Sequence, residues 1–166
     1  MSKFRVHKSV IQSAEAICDA IVDRIVQYKL SLLPSSQREK ERAAITAEAT
    51  QIVEESVVVS MEEPVNLYGY QSDRRDEKAH IRIPKEVVNK HLGGGLSNDA
   101  GFLATDDGFQ AVISDYDNGK WWANSADRFW QSAAAYEAEE AAIIAGYTVD
   151  RIETEEGNIE LVCTGY

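Results

Sequence analysis

The C-terminal stretch constrains the fold most, because the spacing of its apolar residues changes there from helical to extended. Ser125 to Ala145 is an alanine-rich amphipathic run and Gly146 stops it. Tyr147 to Thr154 and Ile159 to Thr164 then alternate as two strands around Glu155-Glu156-Gly157-Asn158. A helix running straight into a hairpin predicts an α+β fold. The same pattern occurs upstream: Phe102-Leu103 and Phe109 to Ser114 read as strands around Asp106-Asp107-Gly108, a turn whose glycine can take positive φ.

Toward the N-terminus, Phe4, Val6 and Val10 suit a short first strand. Ile17, Ile21 and Ile25, flanked by Cys18, Val22 and Val26, predict a helix from about Ser13 to Leu33 with Ser13 as its N-cap. Pro34 ends that helix, and Ser36-Gln37-Arg38-Glu39 reads as the capping box of a second one. The second helix has only a thin apolar stripe, Ala44, Ile45, Ala49, Ile52 and Val53. It is expected to pack along one edge, contribute less to the core than the first helix, and be available for self-association. Val57-Val58-Val59, Val65 with Leu67, and Ile81 with Ile83 read as strand pieces, the charged segment Ser72 to Lys78 as an exposed loop, and Pro84 to Leu92 as a short helix. No low-complexity linker divides the 166 residues, so one domain is expected: an antiparallel sheet of hairpins packed against two or three helices.

Charge narrows the function. The net charge is −11, and residues 99–166 hold 14 acidic side chains against Lys120, Arg128 and Arg151, whereas residues 1–98 balance. Such a C-terminal half repels phosphate backbones, which argues against nucleic-acid binding by that half and leaves a solvated surface or a basic protein partner. No apolar run approaches the roughly 20 residues of a membrane span, and the N-terminus, with Lys3, Arg5, His7 and Lys8, lacks the layout of a signal peptide. A cytoplasmic protein is the expectation. Cys18 and Cys163 have no zinc-site spacing and read as small core residues.

Several short motifs taken together resemble one family. They are Met1-Ser2-Lys3-Phe4, Gly69-Tyr70-Gln71, Asp99-Ala100-Gly101-Phe102, Gly108 followed by a strand ending at Asp115, Phe129 in a helix, Gly146-Tyr147 and the acidic turn at Gly157. Their order and spacing resemble the Ycf35-like family (DUF1257) of algal plastids and bacteria, whose members start Met-Ser-His-Phe and carry Gly-Tyr-Gln and Asp-Ile-Gly-Phe. Lys3 stands where that family has histidine, and residues from about 34 to 60 look like a helical insertion. The resemblance implies a small α+β domain, cytosolic or stromal, with no established catalysis.

Candidate chemistry is sparse. Asp115-Tyr116-Asp117-Asn118-Gly119 resembles the start of a calcium loop, but its glycine comes one position early and Ala126 stands where the bidentate glutamate belongs. Gly93-Gly94-Gly95-Leu96-Ser97 lacks a P-loop lysine and reads as a mobile loop. His7, His80 and His91 fall in separate elements, so neither a metal nor a cofactor is expected. The residues best suited to a ligand are aromatic and cationic. Tyr68 and Tyr70 precede Arg74, Arg75 and Lys78, while Tyr116, Trp121, Trp122 and Trp130 surround the acidic turn. Rings can stack on a base while arginine takes its phosphate, so Tyr68, Tyr70, Arg74, Arg75, Trp121 and Trp122 form the candidate ligand surface. An anion is expected near Tyr70, Arg74 and Arg75, away from the acidic half. The function read from this is a non-catalytic binding or adaptor protein. One alternative is a binder that sequesters a nucleotide or cyclic nucleotide. The other is an enzyme on a nucleotide, using Asp115 or Asp117 as its acid-base group.

Overall fold

The computed structural model describes residues 3–124, 127–153 and 159–165. Strands β1 (Phe4–Lys8), β7 (Gly108–Ser114), β6 (Ala100–Thr105), β5 (Ile81–Ile83) and β2 (Val58–Val59) form a five-stranded antiparallel sheet in that spatial order. Alternate residues of β7 divide its faces. Phe109, Ala111 and Ile113 enter the main core with Phe102, Ile81 and Ile83, while Val112 turns to the other side.

The main core is closed by helices α1 (Ala14–Ser31), α2 (Ser35–Ser56), α3 (Lys85–His91) and α4 (Phe129–Ile144), so the fold is α+β as its periodicities predict. Helix α1 is the central one, burying Ala16, Ile17, Ala20, Ile21, Ile25, Val26 and Leu30. Ser13 caps it, accepting a hydrogen bond from the Ala16 amide at 3.0 Å. At its other end the Arg38 guanidinium reaches back from α2 and donates through Nε to the carbonyls of Leu30 and Leu33, at 3.0 and 3.1 Å.

Helix α2 buries only Ala49 and Val53, consistent with its thin stripe. Its expected capping box is not formed. The helix starts one residue earlier, at Ser35 behind Pro34, and no side chain caps it. Pro34 occupies the N-cap position and has no side-chain acceptor to offer the first-turn amides, so Ser36 lies inside the helix.

On the far face of the sheet lies a hairpin of β3 (Val65–Tyr68) and β4 (Arg74–Ala79). Leu67 and Ala79 bury against Val112, with Phe4 and Leu103 packed beside them. Gly101 makes this close approach possible, since a Cβ there would lie 2.5 Å from the Ala79 Cβ and 2.7 Å from the Ile81 carbonyl oxygen. The charged segment expected as a loop is therefore mostly strand. Arg74, Asp76 and Lys78 are exposed and alternate with the partly covered Arg75 and Glu77, as a strand with one wet face requires.

The β6–β7 turn has Gly108 at φ 137° against the Ser9 carbonyl, fulfilling the glycine expectation. Helix α4 begins at Phe129, later than the expected Ser125, and packs on the hairpin of β8 (Thr148–Glu153) and β9 (Ile159–Thr164). The expected turn at residues 155–158 lies outside the described residues. Cys18 is half-buried, whereas Cys163 is exposed on the outer part of β9 and is not the core residue expected. Among the described residues, no helix is long and apolar enough to cross a membrane.

Candidate functional site

Three segments distant in sequence meet beside the β3–β4 hairpin. A cleft of about 620 Å³ is lined by Tyr70, Gln71, Asp73 and Arg75 from the hairpin, Ser97 and Asn98 from the loop before β6, and Tyr116 from the turn after β7. Tyr70 is 74% exposed and Tyr116 67%, so two aromatic faces stand open to a ligand.

Each wall has a structural cause. The hairpin turn closes through the Gly69 amide donating to the Asp73 carbonyl at 2.7 Å and the Ser72 amide donating to the Gly69 carbonyl at 3.0 Å. The Arg75 guanidinium lies 6.0 Å from the centre of the Phe4 ring and donates through Nη1 to Asp73 Oδ2 at 3.3 Å. Desolvation acts to raise the Asp73 pKa, but backbone hydrogen bonds and Arg75 prevail and hold the carboxyl below its ordinary range.

The floor depends on Asp117, which is fully buried. Its Oδ1 accepts from the Ser97 amide at 2.9 Å, and its Oδ2 accepts from the Asn98 amide and the Ser114 hydroxyl, both at 2.9 Å. The Asn98 side-chain amide adds a further bond to Oδ2 at 3.2 Å. Asp115 points elsewhere, bonded to Arg5. Tyr116, held between these two anchored carboxylates, is turned outward, with the Lys120 ammonium 5.2 Å from its ring.

Asp99 performs a second joining role. Its buried carboxylate accepts from the Tyr68 and Lys85 amides at 3.0 Å each and lies 3.7 Å from Arg82. It thereby caps α3 from a distance and ties β3 to β6.

The sequence-derived site residues divide. Tyr70 and Arg75 line the cleft together. Arg74 does not: as its strand neighbour it points to the opposite face and is exposed. Tyr68 has the Arg82 guanidinium 5.0 Å from its ring. Trp121 and Trp122 are not part of a ligand surface, being only 2% and 6% exposed. They pack at 4.3 Å from each other, and Phe129 and Phe102 extend the cluster. Burial explains this, since large rings contribute most when removed from water. Of the adjacent pair on α4, Phe129 is buried and Trp130 half-buried.

Asp115 and Asp117 serve Arg5 and the buried bracket, so the calcium-like run does not converge on one point. Among the described residues no group of three or more histidine, cysteine, aspartate or glutamate side chains could hold a metal ion. The triple-glycine loop is built into the fold, not splayed: the Leu96 amide donates to Asn89 Oδ1 at 2.6 Å, and the Asn89 side chain returns a bond to the Leu96 carbonyl at 3.0 Å.

Asn98 and the bracket of Asp117 escaped the sequence reading, and Ser97 entered it only as the last residue of the glycine loop. The only signal was the proximity of Asp99-Ala100-Gly101-Phe102, a motif of the family resemblance, which lies directly after them. Lys3-Phe4, Gly69-Tyr70-Gln71 and Asp115, also from those motifs, adjoin the same cleft: the Lys3 carbonyl accepts from the Asp115 amide, and Phe4 lies beneath Arg75. Comparison with known protein families, with curated proteins and with solved structures gives no match.

Proposed function

We propose that this protein is a non-catalytic binding or adaptor module of the Ycf35-like kind. Its cleft takes a small ligand that joins a planar ring to an anionic group, as a nucleotide or cyclic nucleotide does. The observation that carries this reading is the pair of exposed tyrosines, Tyr70 and Tyr116, flanking Arg75 in one cleft. The rings offer stacking faces, the guanidinium offers charge, and Asp73 offers an acceptor for ring N–H groups. Gly69-Tyr70-Gln71, one of the resemblance motifs, supplies two of the residues that line the cleft.

A reading as an enzyme on the same ligand has less support. Asp117 is closed off by its hydrogen-bond donors and Asp115 is bound to Arg5, so neither carboxylate faces a substrate as a proton acceptor. The acidic surface of residues 99–166 suits steering of a basic protein partner in the cytoplasm.

A thermal-shift and calorimetric screen with nucleotides and cyclic nucleotides tests the cleft, because a ligand of the native state raises the unfolding temperature by mass action. Arg75→Ala is expected to weaken binding about tenfold or more, the usual effect of losing a charge-assisted hydrogen bond. Arg74→Ala, on the opposite face, leaves it unchanged. Undiminished binding by Arg75→Ala contradicts the proposal.

A further inference from the structure

A second cavity, distinct from the cleft, lies where α1, α2, α4 and the β8–β9 hairpin converge. It holds about 530 Å³, and its walls include Arg24, Arg38, Arg42, Arg128 and Arg151, with Asp23 as the one acidic residue of the wall among the described residues. In a chain of net charge −11 this gathering runs against the overall field. Both arginines of the acidic half, Arg128 and Arg151, take part.

Carboxylates engage some of these cations. Arg24 lies 3.4 Å from Asp127, Arg42 lies 3.3 Å from Glu39, and Arg151 lies 3.6 Å from Asp23 and 3.4 Å from Glu139. Among the described residues no carboxylate comes within 4.0 Å of Arg38 or Arg128, so the cavity retains positive charge after pairing.

The guanidiniums are also held in place before any ligand arrives. Arg38 is anchored through Nε to two carbonyls, and its terminal nitrogens make no hydrogen bond to the described residues. Arg24 lies 5.6 Å from the centre of the Trp122 ring, and Arg151 is stacked at 3.6 Å over Tyr136. The Nε and Nη2 atoms of Arg151 are buried without an acceptor, Glu139 approaching Nε outside hydrogen-bond geometry. Guanidiniums fixed in one cavity wall, with the Arg38 terminal nitrogens making no hydrogen bond to the described residues, match the oxygen-rich surface of a phosphate group. Arg128, Gln131 and Ser132 at the start of α4 complete the same wall, where the Asp127 carboxylate already accepts from the Phe129 amide at 2.8 Å.

We propose that this cavity is a binding site for a small polyanion, a molecule carrying at least two phosphate-type negative charges, held chiefly by Arg38, Arg128 and Arg151. It reverses the expectation from sequence that anions avoid the acidic half, because the fold concentrates that half's arginines at one point. The site shares no residue with the tyrosine cleft and stands independently of the function proposed for it.

Inorganic pyrophosphate is the probe, titrated calorimetrically into the full chain with orthophosphate as the singly phosphorylated comparison. Wild-type protein is expected to bind pyrophosphate more tightly than orthophosphate, with affinity falling as salt rises. Arg128→Gln, at an exposed position outside the core, is expected to weaken binding about tenfold, and Arg38→Gln likewise. Arg38 also caps α1, so circular dichroism of each variant confirms that it is folded, and Arg128→Gln alone decides the matter if Arg38→Gln is not. Arg75→Ala leaves pyrophosphate binding intact, which separates this site from the cleft. No binding at millimolar pyrophosphate, undiminished binding by folded Arg128→Gln, or binding of single-stranded oligonucleotide in preference to pyrophosphate overturns the proposal.

Discussion

Asp117 shows how much one buried carboxylate can organise. It accepts hydrogen bonds from two consecutive amides, a side-chain amide and a hydroxyl, and so joins the loop at Ser97-Asn98 to the end of β7. Asp117→Ala leaves these donors without an acceptor, and each buried unsatisfied donor costs about 1 to 3 kcal/mol. The variant is expected to lose about 3 kcal/mol or more of unfolding free energy in urea, with Tyr116 displaced from the cleft. A loss below about 1 kcal/mol would mean that the bracket is not what fixes the loop. None of this was legible in the sequence, where Asp117 read as part of a calcium-like acidic turn or, in the enzyme alternative, as an acid-base group beside Asp115. A carboxylate that caps amides and one that faces water are the same letter, and only the meeting of distant segments separates them. The tryptophans failed for the converse reason: Trp121 and Trp122 sit in a polar, acidic stretch, yet their size draws them into the core beside Phe102 and Phe129.

At the scale of elements, periodicity carried most of the information. The apolar repeat placed α1 and its Ser13 cap, the β6–β7 hairpin with its glycine, and the order of α4, β8 and β9. Segment 72–78 was misread because β4 is stabilised by cross-strand bonding and by Leu67 and Ala79 on the covered face, while its own letters are mostly charged. Helix packing also creates a pH dependence. Where α1 meets α4, burial pushes the Asp19 carboxyl up to about 6, and the nearby charges of Glu15, Asp23 and Glu140 push the same way. An acid whose pKa is higher folded than unfolded contributes stability below its unfolded value, near 3.8, and loses it as pH rises through about 6. Asp19→Asn removes the buried charge. It is therefore expected to unfold at a higher temperature than wild type at neutral pH, with the two melting curves converging near pH 4. An equal difference at both pH values would show that Asp19 is not protonated preferentially in the folded state.

For the molecule as a whole, the division of charge along the chain proved a poor map of charge in space. The acidic half supplies Tyr116 to the cleft and Arg128 and Arg151 to the arginine cavity, while its Asp117 is spent inside and its Asp115 on Arg5. A sum over residues 99–166 averages over these local arrangements, which the fold alone creates. The central claim is that the Tyr70–Tyr116 cleft is where a ligand binds, and amide chemical-shift mapping during titration with a purine nucleotide tests it most directly. The predicted result is perturbation centred on residues 69–75, 97–98 and 115–117, with the indole signals of the buried Trp121 and Trp122 unmoved. Perturbations confined to the arginine cavity, or no perturbation at saturating nucleotide, would contradict it.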